Sequence, residues 1–118
     1  MNPSHFDLAL DELFNQSVGK LRTAETFDCE AFIALMTHIR QQASSIADEH
    51  VVSKQMLTCL MQARDAIQRS AQWVPEAKHN LQMADEFEML LAMIAFGIDP
   101  ATKRPRATQF APGLNACG

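Results

Sequence analysis

The chain has 118 residues, 47% of them hydrophobic and 20% charged. That size and composition suit one folded domain and exclude a chain too polar to bury a core. Ten Lys and Arg against fourteen Asp and Glu give a net charge of -4. This sign repels phosphate backbones and anionic lipid headgroups, so nucleic acid and membrane are not expected partners.

Gly occurs only at positions 19, 97, 113 and 118 and Pro only at 3, 75, 100, 105 and 112, so nothing punctuates the stretch from Lys20 to Val74. Tyr is absent, Val is scarce, and Ala, Leu, Met, Gln and Glu dominate. These are helix formers, and the expected class is all-α: a compact bundle of about four helices over roughly 4–18, 28–47, 53–72 and 75–96. Residues 1–98 form the expected bundle domain and 99–118 a flexible basic tail.

The first helix is expected to start at Ser4 as N-cap, to turn Phe6, Leu10, Leu13, Phe14 and Val18 inward, and to end or loosen at Gly19. Thr26 or Asp28 caps the second, with Phe32, Met36, Ile39, Ala43 and Ile46 on one face and Ile33 and Leu35 widening it. A bend then falls near residues 48–53, and Ser53 caps a third helix carrying Met56, Leu57, Leu60, Met61 and Ile67. The competing reading is one long rod, since a four-three spacing runs from Phe32 to Ala71; His50, Ser53 and Arg64 interrupt that seam. Pro75 belongs in the first turn of the last helix, with Ala77, Leu81, Ala84, Phe87, Leu91 and Ile94 inward and Gly97 as its stop. Beyond it, three Pro and two Gly in residues 99–118 argue against a further packed element.

The residues that could carry chemistry are few and scattered. Glu76 and His79 have the spacing of a di-iron half-site, but no second pair accompanies them, and a first-turn Glu beside a solvated His is the better explanation. His5, His38 and His50 lie apart and read as surface or boundary residues. Cys29 stands between Asp28 and Glu30, which oppose a thiolate; Cys59 reads as core filler, and Cys117 as a tail residue. Three widely spaced cysteines resemble neither a disulfide framework nor a zinc site, and with no secretory signal they suggest a cytoplasmic location. No glycine-rich phosphate loop occurs, and Asp85, Glu86 and Glu88 read as a solvated face. The sequence therefore offers no catalytic residue, no cofactor site and no metal site.

What it does offer is apolar width in the later helices. Met56, Leu57, Leu60, Met61, Leu90 and Met93 exceed what one four-helix core requires, and Met suits surfaces that mould to a partner. The reading is a non-enzymatic protein–protein interaction module, such as an adaptor, chaperone, inhibitor or immunity-type protein, whose partner is another protein or a second copy as a homodimer. The alternatives are a DNA-associated regulator using the basic tail residues Lys103, Arg104 and Arg106, or else Arg64 and Arg69 in the third helix, and a metal- or small-molecule-binding bundle using His79 and the nearby carboxylates.

Overall fold

The computed structural model describes residues 6–46 and 52–100, and these are helical with no strand among them. Five helices follow in chain order. The first, α1, is one continuous helix over 8–24, wound as α over Leu8–Phe14, as a wider π-helix over Asn15–Gly19, and as α again over Lys20–Ala24. Then come α2 (Cys29–Ser45), α3 (Lys54–Ser70), the single turn and a half of α4 (Pro75–His79), and α5 (Leu81–Ala95).

Capping chemistry sets most of these ends. Asp28 accepts from the Ala31 N–H at 3.1 Å and starts α2. Ser53 accepts from the Met56 N–H at 3.2 Å and starts α3. At the far end of α5, Gly97 takes a left-handed φ of 72°, and the Ile98 N–H reaches back to the Met93 carbonyl at 2.8 Å. That six-to-one bond is the Schellman closure that glycine permits. The rod reading fails, because α2 stops at Ser45 and α3 starts afresh at Lys54; the expected bend falls mainly on residues 47–51, which lie outside the described residues.

Three expectations need correction. Asp7, not Ser4, is the N-cap of α1, accepting from the Leu10 N–H at 3.1 Å, and Phe6 before it is exposed; Ser4 lies outside the described residues. Gly19 does not end α1: its φ and ψ of -59° and -47° are helical, the wider π winding closes on it, and the helix runs on to bury Leu21. The π turn that ends on Gly19 inserts an extra residue, and the Ser17 hydroxyl donates to the Leu13 carbonyl at 2.7 Å, satisfying an acceptor there. A Cβ at Gly19 would meet nothing closer than Asn15 Cβ at 3.8 Å. Gly19→Ala is therefore expected to stabilise the protein by about 0.5–1 kcal/mol, read as a higher urea midpoint. A lower midpoint would show that α1 is not helical through this position.

The last expected helix is two helices. Asn80 is buried, and its side-chain amide donates to the Glu76 carbonyl at 2.7 Å, the acceptor its own backbone N–H would use in an unbroken α-helix. That N–H turns instead to the Ala77 carbonyl at 3.0 Å, and the winding changes. Such side-chain competition is why Asn disfavours helix interiors. The register shifts with it, so that Leu81 is exposed while Met83, Ala84, Phe87, Leu90 and Ile94 fill the core of α5.

Packing follows from these faces. The α3 and α5 helices form an antiparallel hairpin with α4 in its turn, and their contact is the most extensive among the described helices. The α1 helix lies against both α2 and α3, which scarcely touch each other directly. Phe32 of α2 ties the halves together: its ring stacks on Phe27 at 4.9 Å and meets Phe87 of α5 edge-on at 6.2 Å. Past Gly97 the chain returns to α2, where the Ser44 hydroxyl donates to the Asp99 carboxylate at 2.6 Å and Pro100 is buried. The rest of the expected tail lies outside the described residues. No described helix is long and apolar enough to cross a membrane.

Candidate functional site

The residues expected to face a partner are mostly inside. Met56, Leu60 and Leu90 are buried, Leu57 and Met93 half-buried, and only Met61 is well exposed, at 47%. The apolar width of α3 has a physical reason that its sequence hides: the helix is covered on two sides, by α1 and by α5, so it needs a broad face for one chain alone. Lys103, Arg104 and Arg106 lie outside the described residues, as do His5 and His50.

The titratable candidates fall into structural roles. Glu76 and His79 are exposed on α4, and no group of three His, Cys, Asp or Glu that could hold a metal occurs among the described residues. His38 Nε2 sits 2.8 Å from Asp7 Oδ2, which also accepts from the Gln42 amide. Cys59 is a buried free thiol, its pKa pushed up to about 11 by burial and then by the negative charges of Asp11 and Asp7. It stays protonated and is no nucleophile at neutral pH. Cys29, half-buried at the start of α2, is disulfide-bonded, although the three widely spaced cysteines do not resemble a disulfide framework, because sequence spacing does not report spatial proximity. Glu86 is raised by burial and by Asp85, with Arg40 opposing, while Glu88 is exposed and 3.9 Å from Arg64.

The open feature lies elsewhere, where α1 and α3 both end. A cleft of about 420 Å³, open along one side, is lined by Leu21, Arg22, Glu25, Asp65, Ala66, Arg69, Ser70 and Trp73. Its floor is apolar: Leu21 and Ala66 are buried, and Ser70 beside them is too. Its walls are set by how the two helices stop. After Ser70 the chain turns through Gln72 and Trp73, with the Val74 N–H on the Ser70 carbonyl at 2.7 Å. Val74 is extended, as a residue before proline must be, and buried. It takes the inward place, and its neighbour Trp73 is left 57% exposed. Across the cleft, α1 ends on Glu25 at a φ of 53°, the only left-handed non-glycine residue among those described. That backbone costs a residue with a Cβ about 1–2 kcal/mol, and such strain clusters at working sites.

Arg22 and Arg69 stand in the last turns of α1 and α3. Neither forms an ion pair with a described residue, whereas Asp65 is held by Arg64 at 3.3 Å. Two uncommitted guanidinium groups therefore flank an uncovered indole over an apolar floor. No family model matches the chain, and no curated protein or solved structure matches it either.

The cleft was only partly legible beforehand. In the sequence Arg69 stands out only as a basic residue of the third helix, and Arg22 and Trp73 carry no such mark. The available signal was the position of the only tryptophan directly before Val74 and Pro75. Proline ends the preceding helix, and a large ring in such a turn lacks the helical face that would carry it inward.

Proposed function

We propose that this chain is a non-enzymatic binding module for another protein, and that the cleft between the ends of α1 and α3 seats the partner. The observation that carries the reading is the exposure of Trp73 beside Arg22 and Arg69. Trp and Arg are the side chains that most often dominate binding free energy at interfaces, especially around a pocket that the partner desolvates. A cleft this open to solvent suits a protruding side chain of a protein better than a free small molecule, whose sites usually bury most of its surface. Exposed Met61 and Met89 give further apolar contact area on other faces.

The test compares wild-type protein and Trp73→Ala as baits in the extract of the source cell, with far-UV circular dichroism confirming that both are folded. A partner retained by the first is expected to bind the second at least about 30-fold more weakly, the loss typical of a hot-spot residue. Sedimentation of both proteins covers the case in which the partner is a second copy: a dimer should then dissociate on the substitution. Equal retention of every captured protein, with equal sedimentation, would remove the proposal.

A further inference from the structure

Resting on the binding reading above, we infer that the segment docking in this cleft is acidic. One or two of its carboxylates sit between Arg22 and Arg69, while a neighbouring apolar side chain covers Leu21 and Ala66 against the Trp73 indole. The argument is one of charge complementarity. Around the cleft, Asp65 already has a partner in Arg64, while Arg22 and Arg69 have none among the described residues. The uncommitted charge is two positive groups against Glu25 alone, on a chain whose overall balance is -4. An arginine fork binds a carboxylate through paired charge-assisted hydrogen bonds, and that gain grows where the partner's body shuts out water.

A nucleic-acid strand would also suit arginines beside an indole, since phosphates pair with guanidinium groups and bases stack on aromatic rings. The wider field disfavours it. Residues 1–98 hold 7 basic and 13 acidic groups, a balance of 7 − 13 = −6, so a polyanion running beyond the cleft meets repulsion. An acidic side chain confined to the cleft does not. A second account of the arginines is that each merely neutralises the negative end of its own helix. That account predicts an effect of Arg22 and Arg69 on stability and none on ligand choice.

The sequence supplies a built-in reporter, because Trp73 is the only tryptophan and tyrosine is absent. Indole emission thus comes from the cleft alone. The experiment pans a random-sequence peptide library, displayed on phage, against the full-length chain. Enriched peptides are then synthesised and titrated while Trp73 emission is followed. Acidic residues next to an aliphatic or aromatic residue are expected, with a blue shift on binding and weaker binding as salt rises. Arg22→Gln and Arg69→Gln, exposed substitutions that leave the fold intact, should each weaken the peptide about tenfold. Glu25→Gln should tighten it, and a Lys-substituted peptide should prefer the doubly reversed Arg22→Glu, Arg69→Glu protein.

Enrichment of neutral or basic peptides that still shift Trp73 emission would overturn the acidic assignment and leave the binding reading standing. Peptides that bind without regard to Trp73 and both arginines, or no enrichment at all, would overturn both. A single-stranded oligonucleotide shifting Trp73 emission at lower concentration than any enriched peptide would overturn the choice of ligand class.

Discussion

Replacing Phe87 by alanine is expected to remove about 3–5 kcal/mol of folding free energy, against a total of about 5–15 kcal/mol for a domain of this kind. The ring is wholly buried in the middle of α5 and meets Phe32 edge-on. Two terms act together. The first is the transfer free energy of the deleted ring atoms, and the second is the cavity left among neighbours that relax only in part. Location amplifies the consequence here, because α2 touches α5 over a short stretch and the Phe32–Phe87 contact lies in the seam between the α1–α2 half and the helical hairpin. Urea unfolding followed by circular dichroism should show a much lower midpoint with the slope retained. Phe87→Leu, which refills most of the volume, should recover the larger part of the loss. A cost below about 1 kcal/mol for the alanine variant would mean that the ring does not occupy an interior, since such values belong to surface substitutions.

Local chemistry is what the sequence expressed best. Asp28, Ser53, Pro75 and Gly97 each act within one helical turn of their own position, so their effect is written in neighbouring letters. Phe32, Met36, Ile39, Ala43 and Ile46 were legible for a related reason: all five are buried, and period alone identifies one face of a helix. Asn80 was not, although its effect is equally local, because an asparagine in a helical pattern breaks the winding only if its amide finds the carbonyl four residues back. Missing that break misplaced Leu81. Burial of Met56, Leu60 and Leu90 depended on how many neighbours each helix acquires, a property of topology rather than of any segment. The cleft is the clearest case: Arg22 and Arg69 are 47 positions apart, and only the docking of α1 on α3 brings them around Trp73.

The same non-local logic governs the polar cluster at the other end of α1, where Asp7→Ala is expected to cost about 3 kcal/mol. Asp7 does more than cap its helix. Its carboxylate accepts from the Leu10 N–H, from the Gln42 amide and from His38 Nε2 at 2.8 Å, all with the side chain only 11% exposed. Its backbone meanwhile is clamped by Gln55 of α3: the Asp7 N–H donates to Gln55 Oε1 at 2.8 Å, and Gln55 Nε2 donates to the Asp7 carbonyl at 2.9 Å. One residue thus holds the starts of α1 and α3 to the middle of α2. Losing a cap costs about 1 kcal/mol, and losing hydrogen bonds to a charged acceptor about 1.5–3 kcal/mol more. The carboxylate also carries a pH signature. Burial raises its pKa, but the hydrogen bonds from His38, Leu10 and Gln42 together outweigh that, and the net shift is downward from 3.8. A depressed carboxylate contributes stability that is fully present above its unfolded value and is lost as pH falls through the folded one. Asp7→Asn keeps a capping side chain but no charge, so it separates the two effects. Measured between about pH 5 and about pH 2, the wild type should lose stability more steeply than Asp7→Asn, and the two curves should converge at the acid end. Parallel curves would show that the carboxylate is not engaged as the geometry requires. The cap alone would then account for whatever Asp7→Ala removes.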